Sequence, residues 1–142
     1  MLLLKTLRVL GDAGRVRIVR LLAQEELSVA ELQEILGMGQ SRISMQLSQL
    51  KQAGLVEVRR AGQKSLYRIA ATGDISEILA EVLRRSAAEI AEATHDDDGL
   101  RLVLLRRKDD LRAHFDELAG RFGRDHMPVS YTHLTLPTNR EV

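Results

Sequence analysis

The segment Leu27–Ile69 constrains the fold more than any other part of this 142-residue chain. It contains two short stretches with apolar residues at helical spacing, a glycine-containing turn between them, and two strand-like stretches around positions 61–64. Ser28 precedes the first stretch and Glu31 follows three residues later, which predicts a capping box at the start of a helix. The order predicts two helices joined by a tight turn and followed by a β-hairpin.

Periodic apolar residues continue on both sides of this segment. We predict helices at about 2–10, 13–24, 28–36, 40–53, 74–93 and 100–119, and strands at 55–59 and 65–69. The acidic stretch His95–Gly99 is expected to interrupt the helices as a solvated linker. The predicted fold class is therefore mainly α with a small β-hairpin, in the order ααααββα, plus a C-terminal helical connector.

Composition narrows the classes of function. The chain has no cysteine, which excludes disulfides and thiolate metal sites, and its 3% aromatic content argues against binding single strands by base stacking. The net charge of +1 hides a basic segment, with six Lys or Arg residues against one acid between Gln40 and Arg68, and an acidic segment between Asp74 and Asp98. The leucine-rich start is too short for a signal peptide or a membrane span, so we expect a cytoplasmic protein without membrane contact.

The predicted fourth helix has residue types that can read duplex DNA. Ile43, Leu47 and Leu50 form a narrow apolar stripe on this helix. Gln can bond adenine and Arg can bond guanine in the major groove, whereas Ser can reach phosphates or base edges. The candidate DNA contacts on this helix are Gln40, Ser41, Arg42, Ser44, Met45, Gln46 and Gln49. Taken alone, such a polar face is more often simply solvated.

The predicted hairpin favours DNA contact over a merely solvated polar face. Arg59, Arg60 and Lys64 fall near its tip, where cationic side chains can neutralise backbone phosphates. A capped helix, a tight turn, a polar helix and a basic hairpin together favour double-stranded DNA as the partner.

These segments resemble the winged helix-turn-helix of the ArsR/SmtB family of bacterial transcriptional repressors. The resemblance rests on Leu7–Leu22, Leu32–Leu36, Gln40–Leu50, residues 53–56 and the wing from Arg59 to Ile69, and it covers about residues 2–93. It implies a sequence-specific repressor that binds palindromic DNA as a homodimer joined through its first and fifth helices. The leucine-rich first helix and the face of Ile75, Ile78, Leu79 and Val82 suit that role, although both could instead belong to the intramolecular core.

Two departures from the family pattern concern metals and base preference. Metal-sensing members carry Cys at the positions of Ser28 and Ala30, and the predicted fifth helix has no His, so the resemblance implies a member that senses no metal. The family often has Arg and His where Met45 and Gln46 stand, so we expect a shifted base preference. We find no phosphate loop, nucleophile elbow or paired-carboxylate motif in the sequence, and we expect no catalytic residue, no cofactor and no enzyme activity.

The C-terminal region has a second resemblance. Residues 104–128 are similar to the connector in bacterial proteins that fuse an ArsR-type domain to an S-adenosylmethionine-dependent methyltransferase, with the motif at 112–120 as the carrying residues. This implies that S-adenosylmethionine is a cofactor of a longer protein. The alternative function is thus the N-terminal regulatory part of a methyltransferase, and a third possibility is a module that binds only protein.

These inferences divide the chain into three parts. Residues 1–94 form a winged helix-turn-helix domain for DNA binding and dimerisation, and 95–128 form a linker and helix leading to a downstream domain. Residues 129–142, VSYTHLTLPTNREV, have no amphipathic period and resemble the translation of a transposon adapter from sequencing libraries. We expect this tail to be non-native and leave it out of functional reasoning.

Overall fold

The computed structural model describes residues 2–123, and the side chains of residues 2–120. It contains helices α1 (Leu2–Leu10), α2 (Ala13–Leu22), α3 (Val29–Leu36), α4 (Gln40–Gln52), α5 (Gly73–Ser86) and α6 (Ala93–Gly123), and strands β1 (Val56–Ala61) and β2 (Lys64–Ile69). The mainly helical fold with one antiparallel hairpin confirms the predicted fold class. Among the described residues, those up to Val103 form one compact unit, and those from Leu104 to Gly123 belong to a second. No described helix is both long and apolar enough to cross a membrane.

The core of the first unit is built from aliphatic side chains of α2, α3 and α4. Helix α2 packs against α1, α4, α5 and β2. The largest fully buried side chains are Ile18, Leu21, Leu27, Leu32, Ile35, Ile43, Leu47, Leu50 and Leu55. Each such burial contributes about 1.5–3 kcal/mol, so this cluster stabilises the helix–turn–helix and determines which sides of α3 and α4 face outward.

Side-chain caps and one glycine define the helix–turn–helix. The capping box is confirmed: Ser28 Oγ accepts a hydrogen bond from the Glu31 N–H at 3.2 Å, and Glu31 accepts one from the Ser28 N–H at 2.9 Å. Gly37 ends α3 with φ 71° and donates its N–H to the Gln33 carbonyl. That left-handed conformation is accessible to glycine without steric cost, which explains the abrupt turn before α4.

The hairpin is longer than the sequence predicted. β1 and β2 pair from Val56 with Ile69 to Ala61 with Lys64, which leaves a two-residue loop that begins at Gly62 with φ 67°. Leu27 also pairs with Tyr67 through two backbone hydrogen bonds, of 2.8 and 3.1 Å. This pairing, which the sequence did not predict, attaches the residue before α3 to the wing.

The prediction of a linker at His95–Gly99 is wrong, because α5 ends at Ser86 and α6 runs through these residues. Asp96 is fully buried and accepts two hydrogen bonds from Arg17 of α2, at 2.8 and 2.9 Å. These bonds raise the pKa of Arg17. A Cβ on Gly99 would lie 3.1 Å from Ile35 Cγ2, so α6 also packs closely on α3. Asp96 lies in the first turn of α6, where a carboxylate interacts favourably with the helix dipole, and it pairs with the partly buried guanidinium of Arg17.

The predicted non-native tail, residues 129–142, lies outside the described residues.

We expect the Asp96→Ala change to lower the free energy of unfolding by about 3 kcal/mol, because it leaves the Arg17 guanidinium, 13% exposed, without its counter-ion. The measurement is urea denaturation. Asp98→Ala is the matched control, since Asp98 pairs with Arg101 where both side chains are more than half exposed, and it should cost under about 1 kcal/mol. Equal losses for the two variants would contradict a structural role for the buried pair.

Candidate nucleic-acid interface

Helix α4 presents a polar face opposite its buried stripe of Ile43, Leu47 and Leu50. Six of the seven predicted contact positions on this helix are exposed: Gln40, Ser41, Arg42, Ser44, Met45 and Gln49. The helix contains no acidic residue, and Arg42 forms no ion pair within the part of the chain that the structure describes. No side chain caps its N-terminus after Gly39, which leaves the first backbone N–H groups open.

Gln46 does not lie on that face, and the prediction that it does is wrong. Its side chain is only 4% exposed, on the same side of α4 as Ile43 and Leu50, which lie one turn away. A Cβ on Gly14 would lie 3.3 Å from Gln46 Nε2, so α2 packs directly over the amide. The polarity of glutamine suggested an outward position, but a hydrogen-bonded amide can be buried at little cost.

The partner of this amide is Arg15, a residue that the sequence analysis missed. Arg15 Nη1 donates to Gln46 Oε1 at 2.9 Å and also to Gln49 Oε1, and Arg15 Nε donates to the Val9 carbonyl near the end of α1. One guanidinium therefore joins α1, α2 and α4. The sequence carried little signal for it, because Arg15 is one of three arginines on α2 and nothing in the local pattern distinguishes it from Arg17 and Arg20.

The wing carries cations on both of its faces. Neighbouring positions of a strand point to opposite sides, so Arg59, across from Leu66, and Arg60, across from Ser65, face different ways. Arg60 and Lys64 are exposed, and neither forms an ion pair with any described residue.

Two acids hold the remaining wing arginines. Arg59 pairs with Glu26 at 2.7 Å, and Arg68 lies between Glu26 and Glu57. Hydrogen bonding by Arg59 lowers the pKa of Glu26, so this carboxylate stays ionised to a lower pH than a free glutamate would. Arg59 thus differs from Arg60 and Lys64, because a phosphate would have to share it with Glu26.

Ser28 and Ala30 stand at the positions where metal-sensing members of the family carry cysteine. The Ser28 hydroxyl caps α3, and Ala30 is exposed. Across residues 2–123, no three His, Asp or Glu side chains come together as a metal-binding group.

The contact between Arg15 and Gln46 should be measurable as a coupling energy. We expect Arg15→Met to lower the free energy of unfolding by about 1–3 kcal/mol, because it leaves the buried Gln46 oxygen unpaired. The double variant with Gln46→Met should lose about 1 kcal/mol less than the sum of the single losses in urea denaturation.

The control cycle combines Arg15→Met with Gln24→Met. Gln24 is exposed and bonds to Arg20 and Asp97, so these two losses should be additive. Additivity in the Gln46 cycle as well would show that Arg15 does not stabilise α4 through this amide.

Comparisons with known proteins agree with this arrangement. Residues 12–58, from the cap of α2 into β1, match the family described as "Bacterial regulatory protein, arsR family". The HTH-type transcriptional regulator Rv0324 of Mycobacterium tuberculosis is 33% identical over 140 residues, and the alignment covers 87% of this chain but only 62% of that relative.

Two solved structures are also similar. One is the homodimeric winged helix-turn-helix DNA-binding domain of Mb0332 from Mycobacterium bovis, with a TM-score of 0.51 and 32% identity over 64% of this chain and 80% of that domain. The other is the transcriptional repressor BigR from Xylella fastidiosa, with a TM-score of 0.55 and 29% identity over 61% of this chain and 85% of BigR. With both helices of the helix–turn–helix inside the matched residues, this chain belongs to the ArsR family of bacterial regulatory proteins.

Proposed function

We propose that this chain is a sequence-specific repressor that binds double-stranded DNA with α4 in the major groove and the wing on the flanking backbone. The observation that carries the proposal is the exposed, acid-free face of α4, which stands in the same compact unit as a wing with two unpaired cations. BigR, a repressor of similar fold, supports the direction of regulation.

The exposed residues of α4 divide into two roles. Gln40 and Arg42 lie in the first turn, where side chains can reach base edges, and Arg42 is suited to guanine. Ser41 and Ser44 are short donors for phosphates close to the open helix N-terminus. Gln49 accepts a hydrogen bond from Arg15, so its amide oxygen already has a protein partner. Gln46 is buried and positions α4 through its own hydrogen bond to Arg15, and it does not contact DNA.

The wing supplies contacts that do not depend on sequence. Arg60 and Lys64 can neutralise phosphates without first breaking an ion pair, since Arg60 makes only a long hydrogen bond of 3.4 Å to the Ser65 hydroxyl. Each such contact should make the slope of log affinity against log salt more negative by about 0.9. Arg59 contributes less, because Glu26 already holds its guanidinium.

A homodimer is part of the proposal. Helix α1 exposes Leu2, Leu3, Leu4 and Leu7, each by 44–57% of its surface, and on α5 only Leu79 is fully buried. The homodimeric state of the Mb0332 domain supports a homodimer, and we assign its contact to the apolar surfaces of α1 and α5.

The methyltransferase alternative stays a prediction. Neither Rv0324 nor Mb0332 is named a methyltransferase, and part of the segment that carries the resemblance lies outside the described residues. Sequencing the intact gene would decide it, because a cofactor-binding glycine-rich loop after Pro128 would support the alternative.

Two arginines should separate base reading from backbone binding. A preferred site is first selected from random DNA by the full chain. Arg42→Ala should then lower the affinity for the selected site by about tenfold or more and change the affinity for random DNA little. Arg60→Ala should lower the affinity for both DNAs by a similar factor and make the slope of log affinity against log salt about 0.9 less negative, as measured by fluorescence anisotropy.

Arg101→Ala is the control for the loss of a cation, since Arg101 is exposed on α6 and pairs with Asp98. It should change neither affinity. Identical effects of Arg42→Ala and Arg60→Ala on selected and random DNA would contradict the groove assignment, and affinity that is independent of salt would favour a protein-binding module.

A charged residue introduced into the apolar face of α1 tests the assignment of the dimer contact. Leu4→Glu should shift the protein from dimer to monomer in analytical ultracentrifugation, because a carboxylate would have to be buried without a counter-ion. Leu102→Glu changes a leucine of α6 that is 66% exposed, against 57% for Leu4, and should leave the dimer intact. The assignment to α1 fails if both variants remain dimers or if Leu102→Glu alone dissociates.

A further inference from the structure

Met45 is the one apolar side chain on the exposed face of α4, where the other described side chains are polar or charged. It is 56% exposed on α4. Between residues 8 and 101 of the described chain, it is the one large hydrophobic side chain with such exposure, since the others lie on α1 and α6. The thioether of Met45 is therefore available for a contact outside this chain.

The helical position of Met45 gives the direction of that contact. Successive residues of an α-helix are rotated by about 100°, which puts Met45 nearly opposite the buried stripe of Ile43, Leu47 and Leu50. Met45 thus lies at the centre of the face that we propose to enter the major groove.

The neighbours of Met45 are three serines. Ser41, Ser44 and Ser48 stand four and one residues before Met45 and three after it, and all three are exposed. Their side chains are short, so Met45 extends furthest from the middle of this face. Short neighbours also allow the helix backbone to approach the groove floor closely, which brings the end of Met45 within reach of base edges.

We propose that Met45 is a specificity-determining residue that packs against the C5-methyl group of a thymine. This inference rests on the proposed function and deepens it. The groups that base pairs show in the major groove are hydrogen-bond donors and acceptors, apart from the thymine methyl group, which is apolar. Methionine is flexible and polarisable and adapts well to such a contact.

The size of the effect follows from the group removed. Burying one methyl group at a protein–DNA contact increases affinity by about fourfold. Replacing the contacted thymine by deoxyuridine removes this methyl group alone and keeps every hydrogen-bonding group of the base pair. The exchange of thymine for uracil therefore isolates the proposed contact.

The experiment uses the full chain and a site selected from random DNA. Each thymine of the site is replaced in turn by deoxyuridine, and the affinities are measured for the wild type, Met45→Leu, Met45→Gln and Leu102→Gln. The wild type should lose about fourfold at one thymine position in each half-site. Met45→Leu should keep this difference, whereas the nearly isosteric Met45→Gln should bind the thymine and uracil sites equally.

Leu102→Gln is the matched control, because it makes the same chemical change at an exposed residue of α6 and should keep the wild-type difference. Circular dichroism melting establishes that each variant is folded. Selective binding of the site with no loss at any uracil would overturn the role of Met45 and leave the repressor proposal intact. A thymine preference that persists in Met45→Gln would also overturn it, and binding without any sequence preference would overturn both.

Discussion

Burial of Ile43, Leu47 and Leu50 fixes the rotation of α4 about its own axis, and the candidate interface depends on that rotation. A helix displays its residues in fixed angular order, so the direction of the apolar stripe determines which side chains face solvent. Arg42, Met45 and the serines are exposed for this reason. The same apolar contacts hold α4 against α2 and β1, and therefore beside the wing.

The hydrogen bonds of Arg15 add directional contacts to the apolar packing of α4. Hydrophobic contacts are not directional, but the hydrogen bonds of Arg15 to Gln46 and to the Val9 carbonyl are, and they lie where α1, α2 and α4 meet. This guanidinium therefore connects α1, to which we assign the dimer contact, with α4, which we propose reads bases.

Charge is distributed differently in the structure than along the sequence. Part of the basic segment is neutralised locally, since Arg59 and Arg68 are held by Glu26 and Glu57. Part of the acidic segment is neutralised by α2, since the buried Asp96 and the partly exposed Asp97 bind Arg17 and Arg20. Fewer cations are thus available for the proposed DNA contact than the sequence suggests. Arg42, Arg60 and Lys64 are the candidate contacts that form no ion pair with a described residue.

The sequence alone determined the elements whose signals are local. Apolar spacing, the Ser28–Glu31 capping box and the glycines at 37 and 62 specified the helix–turn–helix and the hairpin, because periodicity and backbone conformation act over a few residues. It also specified six outward residues of α4 correctly. Only the tertiary structure decided the inward position of Gln46, the role of Arg15 and the helical state of His95–Gly99. In each case a polar group far along the chain supplies the missing partner, as Arg17 does for Asp96 across 79 positions, and local patterns carry no information about such partners.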